Sequence, residues 1–239
     1  NWLFSNYELV FTKMNVTVIS SSGQIKYGML DMFAFAFLYS FPRAFFATII
    51  PCVVAYTTTK FHFRFNKVVD IVIIIYMALP IVGATPSLVM VTKALGIFDT
   101  LIGTWIMQMT MLSSYYFVFK AACFAIPNSM IEAAKIDGAS NYRILIQIVL
   151  PLLKSGIITI MLIMFVANWN DYQNPMLFLK SCPTIAYGLY KFNFETDNEL
   201  SSTSMKLCGS FLVMMPILVT FCFLSDKLMG NISFGGVKE

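Results

Sequence analysis

The chain has 239 residues, 58% hydrophobic and 12% charged, with a mean hydropathy of +0.75. A soluble domain carries about 25% charged residues, so an ordinary soluble protein is excluded and a membrane protein is expected. The net charge of +4 is mild and the basic residues are scattered, which excludes the clustered positive footprint of a nucleic-acid binder. Cys52, Cys123, Cys182, Cys208 and Cys222 lie far apart and form no C-x-x-C pair, so they read as small buried apolar residues. Cys182 and Cys208 can both face the outside, and spacing alone does not decide whether they pair.

A crossing needs roughly 20 predominantly apolar residues, and five segments qualify. Met32–Thr59 contains one charge, Arg43, and two prolines, Pro42 and Pro51. Ile71–Thr92 is uncharged but interrupted by Pro80, Gly83 and Pro86, and Thr100–Phe119 is uncharged. Ser155–Leu179 carries only Asp171, and Leu207–Ser225 carries no charge. The expected fold is therefore all-α, a polytopic transmembrane bundle forming one domain over 1–239. Lys60, Arg64, Lys67, Lys120, Lys135, Arg143, Lys154, Lys227 and Lys238 outnumber Lys13, Lys26, Lys93, Lys180, Lys191 and Lys206, which places the first set in the cytoplasm. Five spans with the C-terminus inside put Asn1 outside. With no signal-peptide pattern after Asn1, a further helix upstream is predicted, giving six.

The longest cytoplasmic connection, 123–154, carries the most information. Ser129-Met130-Ile131-Glu132 fits a capping box, predicting a helix from Met130 to about Asp137. Gly138 suits the left-handed position that closes a helix. Ser140 then caps a second helix ending near Pro151. The expected product is two short helices joined by a tight turn at the membrane surface.

The string Glu132-Ala133-Ala134-Lys135-Ile136-Asp137-Gly138, followed by Ile148-Val149-Leu150-Pro151, resembles the EAA loop of permeases in binding-protein-dependent ABC importers. Phe4-Ser5-Asn6-Tyr7, Leu95-Gly96-Ile97-Phe98-Asp99-Thr100, Asn168-Trp169-Asn170-Asp171 and Gly235-Gly236-Val237-Lys238 resemble segments of the MalG-like sugar permeases, so the likeness runs along nearly the whole chain. It implies a non-catalytic subunit of the bacterial inner membrane that moves a sugar handed over by an external binding protein. The implied partners are a second homologous permease and two ATPase subunits, which hold ATP and Mg²⁺; this chain itself holds no cofactor. Glu132, Ala133, Ala134, Asp137, Gly138 and Pro151 would form the ATPase coupling site. Ala133 and Ala134 keep the helix slim enough for a cleft, Glu132 caps it and can meet a basic partner residue, and Gly138 lets the chain turn. The Ser233–Glu239 tail resembles a second ATPase contact. The chain lacks the G-x-x-x-x-G-K-[ST] loop of the ATPase itself.

Polar residues inside spans usually face a bundle interior or a pathway. Asn168, Asn170, Asp171 and Asn174, with Asn170 and Asn174 expected on one helical face, either contact substrate or join helices. Trp169 either stacks on a sugar ring or anchors the span at the interface. Thr104 and Gln108 form a second set, together with Ser114. The Met107–Met111 stretch reads as adaptable packing, and His62 as a solvated or headgroup-facing residue. The outer loop 180–206 contains Tyr187, Gly188 and Leu189, which resemble the family's binding-protein contact. With Glu195, Asp197 and Glu199 at its tip, the loop either docks that protein or is an ordinary solvated hairpin. A permease for a polyamine, phosphate or amino acid shares the EAA pattern and remains the alternative, followed by a membrane scaffold. A membrane-embedded enzyme would need a clustered ligand or nucleophile set that one histidine and isolated carboxylates do not supply.

Overall fold

Where no water reaches the backbone, a helix keeps every hydrogen bond internal. The computed structural model, which describes residues 4–20, 23–61, 63–79, 83–195 and 202–229, is accordingly mostly helical. After α1 (Phe4–Lys13) the chain departs from the expected all-α pattern. β1 (Val16–Ser20) and β2 (Gly23–Tyr27) pair antiparallel, with Val16 opposite Tyr27 and Ser20 opposite Gly23. The Val-Thr-Val-Ile run in β1 is β-branched and suits an extended chain better than a helix. α2 (Met29–Lys60) then runs unbroken for 32 residues. Its start is fixed by Asp31, whose Oδ2 accepts the Gly28 N–H at 3.0 Å, a carboxylate well placed at the positive helix end.

The second expected span is two helices, α3 (Asn66–Ala78) and α4 (Ala84–Ala94). Leu79 is extended at ψ 119°, the conformation forced on a residue before proline, and Gly83 starts α4 at φ +80°. α4 closes on Gly96 (φ +68°), with Gly96 N–H on Lys93 O and Ile97 N–H on Thr92 O, the paired bonds of a Schellman end. The third expected span is also broken, into α5 (Leu101–Gln108) and α6 (Tyr115–Ala125). Between them Thr110 Oγ1 accepts from Leu112 N–H and Ser113 Oγ from Tyr115 N–H, so side chains take amides that a helix would have used.

α7 (Asn128–Ile136) is followed by α8 (Asn141–Ile144), a π-helical turn over Leu145–Val149, α9 (Leu150–Leu152) and α10 (Lys154–Trp169). α11 (Gln173–Phe178), α12 (Ile185–Glu195) and α13 (Thr203–Met229) complete the described chain. The described part of the outer loop 180–206 is helical over Ile185–Glu195 and again from Thr203. Among the described residues, two to four candidate crossings are found where five were expected. α2 and the Thr203–Cys222 part of α13 are long and apolar enough to cross a membrane alone, and up to four crossings arise if α6 with α7 (bent 69°) and Asn141–Leu152 with α10 (bent 75°) each count as one. His62, Asp197, Glu199 and the 233–239 tail lie outside the described residues.

The chain divides into two units. The first draws on described residues within Asn1–Arg43, Gly83–Met107 and Phe165–Ser225. Here small residues let elements close up: a Cβ on Gly188 of α12 would run into the Met32 side chain, and one on Gly209 of α13 would press on Leu189 at 3.1 Å. The second draws on those within Ala44–Val82 and Gln108–Met164. Its core gathers Cys52, Ala55 and Tyr56 of α2 with Ile73, Tyr116, Phe119, Cys123, Ile131, Ile144 and Val149.

Proline inside a helix frees a carbonyl one turn back. Pro42 frees that of Leu38, and Trp105 Nε1–H donates to it at 3.0 Å. In α13, which contains Pro216, Trp169 Nε1–H donates to the Val213 carbonyl at 3.2 Å. Trp105→Phe is expected to lower unfolding stability in detergent by about 1–3 kcal/mol. The loss should shrink in a Pro42→Ala background, where the restored amide serves Leu38; equal losses in both backgrounds would contradict this pairing.

Candidate functional site

Two constellations emerge, one in each unit. In the first, Arg43 is 8% exposed, and a guanidinium cannot shed its proton to escape burial. Its Nε donates to Asn168 Oδ1 at 2.9 Å and its Nη1 to the Thr104 carbonyl at 3.1 Å. The guanidinium carbon lies 4.6 Å from the Tyr39 ring centre, within cation–π range. The Tyr39 hydroxyl donates in turn to Asp171 Oδ2 at 2.8 Å. That carboxylate also takes the Asn174 backbone N–H at 3.1 Å and its side-chain amide at 2.7 Å.

Asn168, Asp171, Asn174 and Thr104, four of the sequence candidates, are thus brought together around Arg43 and Tyr39. The latter two were not among those candidates, although Arg43 is the single charge in the first apolar segment, and such a charge is a signal in itself. The expected shared face of Asn170 and Asn174 does not exist, because α10 ends at Trp169. Asp171 draws the Asn174 amides to itself there and starts a new turn. Asn170 is exposed, and its side-chain amide donates back to the Val166 carbonyl of α10. Trp169 is 3% exposed, packed on Phe165 and Phe33, so its ring serves packing rather than an open sugar-stacking surface. Gln108, the last residue of α5, is not among the groups this cluster bonds.

Of the three outer-loop candidates, Gly188 and Leu189 pack against Met32 and Gly209. Tyr187 is half-buried, with Lys191 Nζ 5.5 Å from its ring centre. Tyr172 and Tyr190 stack at 4.7 Å and 9°. Asp99, at φ +60°, a conformation aspartate tolerates better than most residues, accepts from Ser181 N–H at 2.8 Å and Ser181 Oγ–H at 2.6 Å. Cys182 and Cys208 are free thiols. Burial, and after it the Asp99 carboxylate, pushes the Cys182 thiol above its ordinary pKa.

In the second unit α7 presents the EAA residues. The expected Ser129/Glu132 capping box does not form: the helix begins at Asn128, directly after an extended Pro127, with no side-chain cap. Proline fixes its own φ and brings no N–H, so the start falls there and Ser129 and Glu132 lie inside the first turns. The far end follows expectation. Gly138 has φ +79°, and Gly138 N–H on Lys135 O with Ala139 N–H on Ala134 O forms a Schellman end. Ile131 is buried and Ala134 half-buried, while Glu132, Ala133, Asp137 and Gly138 are exposed and Ile136 is 87% exposed. Ser140 Oγ accepts the Arg143 N–H at 3.3 Å, as expected for a cap. The second loop helix is not uniform: the Leu150 N–H reaches back to Leu145 O, and Pro151 sits exposed in the short α9. At the other side of α7, Lys60 Nζ donates to the Ile126 carbonyl at 2.6 Å and to Asn128 Oδ1 at 2.9 Å. Lys135 Nζ lies 5.8 Å from the Phe61 ring centre.

A mostly helical chain with long apolar helices and a buried polar cluster between them is a membrane protein. Residues 47–234 match the family described as binding-protein-dependent transport system inner membrane component, and the chain belongs to that family. It is 28% identical over 188 residues to the inner membrane ABC transporter permease protein YcjP of Escherichia coli (strain K12), covering 77% of this chain and 66% of that one. It is 22% identical over 187 residues to the arabinooligosaccharides transport system permease protein AraQ of Bacillus subtilis (strain 168), covering 77% and 65%. For the melibiose/raffinose/stachyose import permease protein MelC of the same strain the identity is 30% over 188 residues, covering 77% and 67%. The chain thus spans about two thirds of the length of these curated relatives. Its fold is similar to a chain in a crystal structure of a bacterial ABC transporter involved in the import of the acidic polysaccharide alginate, with TM-score 0.70 and 22% identity over 93% of this chain and 79% of that chain.

A double-mutant cycle of Tyr39→Phe and Asp171→Ala is expected to give a coupling energy of about 0.5–3 kcal/mol in detergent unfolding, whereas strict additivity would count against the contact. Cys182 should react slowly with maleimide at pH 8, since a raised pKa leaves little thiolate, and Asp99→Asn should speed the reaction. Labelling unaffected by that change would show that the carboxylate has no influence on the thiol.

Proposed function

We propose that the chain is a permease subunit of an ATP-driven importer for a sugar or oligosaccharide. It would work beside a second homologous permease, two ATPase subunits that bind ATP and Mg²⁺, and an external binding protein. Family membership and the sugar and oligosaccharide solutes in the names of AraQ and MelC support this reading. The cytoplasm is assigned to the side bearing Lys60, Lys120, Lys135 and the C-terminus by the excess of lysine and arginine. Within this picture Arg43, Asn168, Thr104, Tyr39, Asp171 and Asn174 bound the solute pathway, and the 180–206 segment faces the binding protein.

The observation that carries the coupling part is the form of α7. One side is anchored by Ile131 and Ala134, while Ala133 and the aliphatic Ile136 stand exposed beside Glu132. With Ile131 and Ala134 turned inward, the face bearing Glu132, Ala133 and Ile136 is left open to a partner's cleft. The Gly138 closure fixes how that face is presented.

Gly138 can be tested by conformation alone, because a Cβ there would meet no atom within 4 Å. Asparagine visits the left-handed region and β-branched valine does not. In the reconstituted complex, Gly138→Val is expected to cut solute-stimulated ATP hydrolysis and uptake by about tenfold while Gly138→Asn stays near the unaltered level. Normal uptake by the assembled Gly138→Val transporter would reject the coupling role.

A further inference from the structure

The covalent connections into and out of α7 are both articulated. It follows α6 through a 69° bend at Ile126-Pro127. It leads out through the left-handed Gly138, the π-helical turn and a further bend of 75° before α10. A displacement of α7 would be absorbed at such joints, since hinges are the element-terminal residues that take up backbone rotation. α2, in contrast, is one unbroken helix, and α7 touches its end directly.

Three groups make that contact. The Lys60 ammonium bridges the Ile126 carbonyl and the Asn128 side chain at the start of α7, charge-assisted bonds of the stronger kind. It also sits at the carbonyl end of α6, where a cation is favoured. The Phe61 ring lies beneath Lys135 in the last turn of α7, so the helix is held near both ends. The last turn of α2 is itself clasped. Thr58 shares a 2.8 Å hydrogen bond with the Tyr116 hydroxyl, which bonds Asp70 Oδ1 at 2.7 Å. Lys120 Nζ lies 2.6 Å from Asp70 Oδ2, and the Asn66 amide donates to the Thr58 and Phe61 carbonyls at 2.8 and 2.7 Å. Cys52, Ala55 and Tyr56 of α2 meanwhile share the apolar core with Ile131 of α7.

We infer that Lys60 and Phe61 are positioning residues of the transport cycle, fastening α7 to the end of α2 so that motion of α7 passes into α2 sideways rather than along the chain. The inference rests on the reading of α7 as the ATPase-facing helix. Hinged covalent links and a rigid lateral clamp together leave α2 as the stiff element that must follow α7. The same helix carries Tyr39 and Arg43.

The test uses the complete transporter in proteoliposomes, with its ATPases and binding protein. An Ala133→Cys cross-link to the ATPase subunits reports docking, spin labels on α2 and α7 report whether the two helices move together on ATP binding, and solute moved per ATP hydrolysed reports coupling. In Lys60→Met, which keeps the apolar stem and removes the donors, the cross-link and ATP hydrolysis should persist while solute per ATP falls about tenfold, and Lys60→Arg should recover most of it. The label distance, constant through the cycle in the unaltered protein, should change in Lys60→Met. An intact cross-link with an unaltered ratio and label distance in Lys60→Met would overturn the clamp. Absence of the cross-link in the otherwise unaltered transporter would instead overturn the reading of α7 beneath it. If Lys60→Met fails to assemble, Asn128→Ala, which removes one acceptor only, decides by the same two readouts.

Discussion

A guanidinium that cannot lose its proton, set among apolar helices, has to be given acceptors, and much of the first unit follows from how Arg43 obtains them. Burying an uncompensated charge costs several kcal/mol, so α2, α5 and α10 are held where Asn168 Oδ1 and the Thr104 carbonyl can meet the Arg43 donors. Tyr39 covers the charge with its ring and passes the polar chain to Asp171. Asp171 in turn gathers the Asn174 amides just beyond the end of α10. A cluster of this kind is stable only when nearly every member is satisfied, which makes it a structural knot of the first unit.

The breaks in the helices have the same kind of origin. Thr110, Ser113 and Asp171 take backbone amides for their own side chains, and a residue before proline is pushed out of the helical region. Where a proline sits inside a helix that nonetheless continues, an indole N–H serves a carbonyl near it, as Trp105 does for Leu38. α2 thus survives two prolines while the neighbouring helices α3 to α6 are short. α2 and α13 stay continuous through their prolines, whereas the connections on either side of α7 are bent.

The relatives and the structural neighbour stand at 22–30% identity, so side chains differ at most positions, while the fold of the neighbour persists at a TM-score of 0.70.

By itself the sequence determined that the chain is a membrane protein, that helices dominate and that a short helix closes on Gly138, because these follow from composition and local backbone preference. Gly138 could be read in advance since φ +79° is a demand few other residues meet. Only the tertiary structure decided which polar residues meet. Arg43 and Asn168 are far apart in the chain, and no periodicity links them. Tertiary structure also decided where spans break, since a threonine or aspartate side chain competes with the helix only when its neighbours let it turn inward. It set the start of α7 at Pro127 rather than at the Ser129/Glu132 pair, and it added the β1–β2 hairpin. Lys60 was legible as a basic residue ending a span. That its ammonium reaches the first turn of α7 depends on two helix ends packing side by side, and such an approach is a property of the folded chain and not of its order.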